Sequence, residues 1–245
     1  MREPQQLQRT ALVTGSSSGI GFAIARRLHA AGWQVVTNGF RTEARGAELI
    51  DELPGAHYID ADVGDPADAA ALVDGSLARF GRLDLLINNA GIARQIPHRD
   101  LDAVSDEFWN AIMRVNLTGT WNVTKAAVPH LREARGQIIN TGSLAGFTAA
   151  GSSVPYAVSK AGVLHLTKLL AKALGPEVRV NALAPGYIDT PLTHDWQSLR
   201  EYIENNAPAQ RLGNPDDVAD VVMGLIAMEY VTGTFIPIDG GLHLL

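Results

Sequence analysis

The feature that most restricts how this chain can fold is an alternation of short apolar runs and helix-length amphipathic segments from end to end. Residues 10–14 (TALVT) form an apolar run halted by Gly15 and read as a buried strand. Residues 19–31 place Ile20, Ala23, Ile24 and Leu28 on one helical face, and Gly32 closes that helix. Further strands are expected at 35–37, 57–59, 83–87, 137–140, 179–182 and 234–238. Further helices are expected at 44–53, 66–80, 105–132, 155–174 and 215–228, the long one bending near Gly119 or Pro129. Strands joined by helices of this length cannot be hairpins. They require right-handed crossovers, and so a parallel sheet covered on both faces.

This pattern predicts an α/β chain with a doubly wound Rossmann-type fold: a single, mostly parallel seven-stranded sheet flanked by helices. No low-complexity linker interrupts the 245 residues, so one domain over 1–245 is expected, with 1–9 as a tail. A formal charge of −6 without any basic run argues against nucleic acid, whose phosphates need clustered Lys and Arg. There is no cysteine, which excludes disulfides and thiolate–metal sites. The histidines at 29, 57, 98, 130, 165, 194 and 243 show no metal-ligand spacing, so no metal site is expected. No apolar run is long enough to span a bilayer, and residues 1–9 lack an apolar signal core. A soluble, cytoplasmic protein is the expectation.

Ligands of doubly wound sheets bind beyond the C-terminal ends of the strands, and the chemically suggestive residues cluster there. The first strand runs into Gly15-Ser16-Ser17-Ser18-Gly19-Ile20-Gly21, a glycine-rich turn that opens a helix. Such a turn allows close backbone approach and offers free N–H groups to a pyrophosphate. Its G-x-x-x-G-x-G spacing resembles the short-chain dehydrogenase/reductase family, and the resemblance extends from Thr10 to Gly241. Asp62-Val63 resembles the family's adenine contact, and Asn88-Asn89-Ala90-Gly91 its structural and cofactor-wall motif. Pro185-Gly186 with Ile188 and Thr190 resembles the segment that holds the nicotinamide carboxamide, and Asp239-Gly240-Gly241 its C-terminal signature. Asn88 and Asn89 read equally well as residues that tie strands together. The resemblance implies a nicotinamide cofactor. NAD sites usually carry an acid after the second strand, whereas this chain has Asn38-Gly39-Phe40-Arg41. Arg41 can pair a 2′-phosphate. Ser18 stands where many NADP-using relatives carry a basic residue, and some relatives with a similar Asn-Gly-Phe stretch use NAD. NADP(H) is slightly favoured over NAD(H).

Tyr156 and Lys160 stand one helical turn apart at the start of a helix, with Cβ atoms about 5–6 Å apart. A neighbouring ammonium lowers a phenol's pKa and prepares it for proton transfer. Ser143 follows the fifth strand, where its hydroxyl can polarise a carbonyl. The resemblance makes Asn116, Ser143, Tyr156 and Lys160 a catalytic tetrad. It implies that Lys160 also binds the cofactor ribose, and that Asn116 disrupts its helix locally and holds a proton-relaying water. The implied reaction interconverts a ketone and a secondary alcohol.

Substrate-facing segments are expected at 145–153, 92–97 and 187–209, with 190–209 as a mobile lid. Ala145, Phe147 and Tyr187 join Ser143 and Tyr156 as substrate residues, and Val154, Leu192, Trp196 and Tyr202 suggest an apolar pocket. A small-molecule 3-oxoacyl thioester or related ketone, carrier-linked or free, heads the substrates that the resemblance allows. A 3-hydroxy acid, sugar or polyol is the alternative. Arg132, Arg135 and Lys172 offer a basic patch for an acyl-carrier protein, or plain partners for helix dipoles. The resemblance also implies a homotetramer, compatible with the apolar 105–132 helix and the tail 242–245. A non-catalytic dinucleotide sensor would have lost the tetrad. A sugar-nucleotide epimerase would need a larger domain after Pro185.

Overall fold

The computed structural model describes residues 8–194 and 196–245; the expected tail at 1–9 lies mostly outside the described residues, as does position 195 of the expected lid. Seven strands form one sheet: β1 Thr10–Val13, β2 Gln34–Gly39, β3 His57–Asp60, β4 Leu85–Asn88, β5 Gln137–Thr141, β6 Arg179–Pro185 and β7 Phe235–Ile238. Their order is β3-β2-β1-β4-β5-β6-β7. Expected to be mostly parallel, the sheet is parallel at every pairing. The chain steps outward from β1 to β3, then returns to β4 and steps outward the other way. The reversal lies between β1 and β4, where doubly wound sheets open a crevice.

Side-chain alternation divides the core in two. Ala11, Val13, Leu85 and Ile87 face α1 (Gly19–Ala30), α2 (Glu43–Glu52) and α8 (Pro215–Ala227) through Ile24, Leu28, Leu49, Val218 and Val222. Leu12, Leu86 and Ile138 face the other way, toward α3 (Pro66–Phe80), α5 (Gly119–Ala134) and α6 (Val154–Leu174). Local chemistry fixes the helix ends. Asp65 caps α3 by accepting from the N–H groups of Ala67 and Asp68, and Gly81 ends it in the left-handed region. Asn214 and Asp217 form a capping box on α8.

The helix expected at 105–132 is interrupted. It comprises α4 (Asp106–Ile112), a π-helical turn (Met113–Thr118) and α5. The break falls at neither Gly119 nor Pro129 but around Asn116. Its side chain is drawn out of the helix by the backbone of Ile92, accepting from the N–H at 2.8 Å and donating to the carbonyl at 3.0 Å. Such π turns recur at functional sites. A buried polar chain crosses the sheet beside it. Asn88 Nδ2 donates to Thr124 Oγ1 and Asn140 Oδ1, and Asn140 Nδ2 to Thr167 Oγ1, each at 2.9 Å. Asn88 therefore ties β4 to β5 and α5.

Candidate active site

The C-terminal ends of β1, β4, β5 and β6 enclose a cavity of about 470 Å³. Its floor is the glycine-rich turn. Gly15 and Gly19 have φ of +59° and +55°, conformations that L side chains rarely adopt. A Cβ at Gly15 would stand 2.6 Å from Ala90 Cα, so glycine lets the turns after β1 and β4 touch. Asn89 fastens them, donating from Nδ2 to the carbonyls of Thr14 (3.1 Å) and Gly15 (2.9 Å). Ser18, at the N-cap of α1, makes no side-chain capping bond. The first N–H groups of α1 therefore stay free beside the cavity, an arrangement suited to a pyrophosphate. Gly15, Ser17, Ser18, Gly19, Ile20, Asn89 and Gly91 line one side; Pro185, Gly186, Ile188 and Thr190 line the other.

Six of the expected cofactor residues do not line this cavity. Gly21 and Ala90 serve the packing of the two turns: a side chain at Gly21 would meet Gly15 O and Asn89 Nδ2. Phe40 and Arg41 lie at the end of β2, the Arg41 guanidinium 4.9 Å from the Phe40 ring centre. Val63 is buried against Gly119. Asp62 is held in place, its carboxylate accepting from Arg114 at 2.7 Å and from the Gly64 N–H at 2.8 Å. The acid-free end of β2 has a steric basis. A side chain at Gly39 would collide with Thr42 Oγ1 and Tyr58 Oη. The acid that organises this end is Asp60, which sequence reasoning missed. It accepts from the N–H groups of Arg41 and Thr42, both at 3.1 Å, and from the Tyr58 hydroxyl at 3.0 Å. Burial works to raise its pKa, yet these donors hold it below the usual carboxylate value. The signal was a carboxylate at a strand end, one strand away from the place searched.

The tetrad residues converge. Ser143 caps a short 3₁₀ turn after β5 by accepting from the Ala145 N–H at 3.2 Å. Close packing brings α6 to it: a Cβ at Gly146 would stand 2.9 Å from the Lys160 carbonyl. Tyr156 and Lys160 face the cavity from the first turns of α6. Lys160 Nζ donates to Thr141 O at 2.7 Å and lies 5.8 Å from the Tyr156 ring centre. Asn116 Nδ2 also reaches Ser159 Oγ at 3.2 Å. A Cβ at Gly91 would stand 3.3 Å from Asn116 Oδ1 and 3.6 Å from Lys160 Nζ, so glycine leaves a cradle framed by an acceptor and a cation. That cradle, the free helix N-terminus and the glycine floor fit a dinucleotide.

A second cavity, of about 690 Å³, shares Ser143, Tyr156 and Gly186 with the first. Ala145 and Tyr187 line it. Phe147, expected there, does not; its ring packs against Phe235 (5.0 Å) and His243 (6.0 Å). Part of the expected lid is α7 (Gln197–Asn206), packed through Ile203 against Tyr187. Arg132, Arg135 and Lys172 lie at the helix ends that precede β5 and β6, opposite to both cavities.

Burial governs the proton affinities. It pushes the Tyr156 phenol above its ordinary pKa, and Ser143 beside it pulls the other way. The lowering expected from Lys160 does not prevail, because that ammonium is directed at the Thr141 carbonyl. Burial also pulls Lys160 down to about 8. The unfolded chain keeps this proton up to about pH 10.5 and the folded chain only up to about 8. The resulting loss of stability is therefore full below pH 8 and fades between 8 and 10.5. Lys160→Met should raise the thermal midpoint of the cofactor-free protein at about pH 7 by several degrees, and the gain should shrink as pH approaches about 10. Melting curves across that range test this; a gain that does not change with pH would contradict it.

A family model described as enoyl-(acyl carrier protein) reductase matches residues 15–243. The chain is 49% identical over 239 residues to "Granaticin polyketide synthase putative ketoacyl reductase 2" of Streptomyces violaceoruber, covering 96% of each protein. It is 38% identical over 244 residues to the 3-oxoacyl-[acyl-carrier-protein] reductase FabG of Thermotoga maritima, covering 96% of this chain and 97% of that protein. The crystal structure of 3-ketoacyl-(acyl-carrier-protein) reductase from Brucella melitensis complexed with NADH superposes with a TM-score of 0.90 at 31% identity, covering 97% and 100% of the two chains. The glycine turn, the wholly parallel sheet and these similarities agree: the chain belongs to the short-chain dehydrogenase/reductase family, as an NAD(P)(H)-using oxidoreductase that acts on C=O and CH–OH groups.

Proposed function

We propose that this enzyme reduces a ketone to a secondary alcohol with NADPH, and that Tyr156 supplies the proton. The observation that carries the proposal is that Ser143 and Tyr156 line both cavities at once. A cofactor in one cavity and a ketone in the other would meet at those two hydroxyls. When bound, the nicotinamide supplies the hydride. The Ser143 hydroxyl donates to the ketone oxygen and stabilises the charge that grows there. Tyr156 then transfers its proton to that oxygen. Burial keeps the phenol protonated at neutral pH, which is the form that reduction uses. Lys160 exchanges the Thr141 carbonyl for the ribose hydroxyls. Asn116 holds the Ile92 segment and, with Lys160, the water that restores the Tyr156 proton. The free N–H groups of α1 would hold the pyrophosphate, and Arg41 would hold the 2′-phosphate.

A 3-oxoacyl thioester or related ketone is the proposed substrate class, supported by the similarity to proteins named ketoacyl and 3-oxoacyl reductases. The apolar wall of the larger cavity, with Ile96, Trp196, Leu199 and Ile203, disfavours sugars and polyols, which need many hydrogen-bonding groups. Carrier linkage is compatible with this reading; Arg132, Arg135 and Lys172 lie at the helix ends that precede β5 and β6. The 190–209 segment, through α7, is the proposed lid over the one-domain fold. A homotetramer is also proposed, supported by exposed Trp121 and Leu169 on helices and Leu244 and Leu245 at the tail.

Absorbance at 340 nm should fall when NADPH meets 3-oxoacyl thioesters or cyclic ketones. Tyr156→Phe should fold and bind NADPH yet lose turnover by about 10²–10⁴-fold; near-normal turnover would refute its role. Arg41→Ala should raise KM for NADPH by roughly tenfold and leave KM for NADH nearly unchanged. Equal effects on both cofactors would remove Arg41 from the 2′-phosphate site. Sedimentation should give a tetramer, and a monomer at micromolar concentration would dismiss it.

A further inference from the structure

The larger cavity, at about 690 Å³, is in the range of sites that hold drug-sized molecules and is roomier than a short acyl group requires. Its hydrogen-bonding side chains fall into distinct sets. Ser143 and Tyr156 stand at the reacting end. Tyr187 and Thr193 are committed within the protein: the Tyr187 hydroxyl donates to Thr193 O at 2.6 Å, and the Thr193 hydroxyl to Ile188 O at 2.7 Å. Gln95 is exposed to solvent. Trp196 offers an indole N–H from the start of the lid helix, and His98 and Ser152 remain. Among the described residues, the Nε2 atom of His98 and the Oγ atom of Ser152 are shut off from water and have no hydrogen-bond partner.

The two residues belong to one wall. The Ile96 N–H donates to Ser152 O at 2.7 Å, which ties the loop after β4 to the loop before α6. Folded proteins leave few buried polar atoms unpaired, because each costs free energy. His98 and Ser152 both line the cavity while these two atoms are turned away from its open space, so a side-chain rotation would bring each to an atom on a ligand. Nε2 donates or accepts according to its tautomer, and a hydroxyl does both, so a hydroxyl or carbonyl oxygen satisfies them. No Lys or Arg among the described residues lines the cavity, which disfavours a carboxylate or phosphate in that place.

We infer that His98 and Ser152 are specificity-determining residues, recognising a second, uncharged oxygen on a bulky, mainly apolar ketone. Side-chain rotation toward that oxygen relieves both orphaned atoms when the ligand enters. The inference deepens the ketone-reducing reading and rests on it.

The test compares 2-tetralone with a set of ring-hydroxylated 2-tetralones, using NADPH. The wild type should favour at least one hydroxylated member by about tenfold or more in kcat/KM, mainly through KM. Ser152→Ala and His98→Phe should bring that ratio close to one and leave the thermal midpoint unchanged or higher, since each deletes an unpaired group. The inference is overturned if no member exceeds the parent by about twofold, or if the preference survives both substitutions. Calorimetric titration of the same ketones into NADPH-loaded Tyr156→Phe separates the two readings. Preferential binding without NADPH oxidation by the wild type supports the anchor and refutes the reductase reading. Turnover of the parent without any preference refutes the anchor alone. Binding of no member of the set overturns the subsite.

Discussion

The turns after β1 and β4 touch at a distance that only glycine at position 15 allows, and the working end of the sheet is built outward from that contact. It fixes the crevice where the strand order reverses. Asn89 bonds both carbonyls of the β1 turn, so the approach is fastened by hydrogen bonds as well as permitted by missing side chains. α1 then starts where its uncapped N–H groups face the crevice. Moving either turn outward would carry Gly91 away from Lys160 and Asn116, and the cradle between them would open.

The reacting end depends on a different balance, between burial and charge. Lys160 is only 4% exposed and Asn116 1%, depths at which unpaired polar groups are costly. Each is answered by backbone, Lys160 by Thr141 O and Asn116 by both polar groups of Ile92. The π turn is the local cost of the second answer, because turning Asn116 toward Ile92 takes it out of the regular helical ladder. Tyr156 has no such carbonyl partner, and burial holds its proton on.

Much of this was legible in the sequence because the strands are buried on both faces and read as continuous apolar runs, while the helices carry explicit caps. The helix from Pro66 to Phe80 was readable to the residue, bounded by Asp65 and Gly81. That Ser143, Tyr156 and Lys160 would gather at one cavity, with Asn116 beside it, was readable from motif and order. What escaped depends on contacts distant in sequence. The break at Asn116 was implied by the resemblance alone, because Ile92, 24 residues away, sets it, whereas propensity pointed to Gly119 and Pro129. Arg114 fixes Asp62 across 52 residues. Phe147 sits beside substrate-facing residues in the chain, but β7 and the tail supply better aromatic neighbours. The bounds of the lid helix escaped because its apolar stripe is thin among Arg, Glu and Asn. Arg132, Arg135 and Lys172 share a charge type, and their place at the helix ends that precede β5 and β6 is something composition alone does not show.

The bond from Lys160 to Thr141 O bears on how the enzyme cycles. Without it, each departure of the dinucleotide would strand a buried cation, and the empty protein would have to flood the site or distort to solvate it. With the carbonyl as a resting berth, the ribose binding proposed for Lys160 would be an exchange of one acceptor for another. On that mechanism the lysine would add little net grip, and the spent dinucleotide would leave without a large penalty.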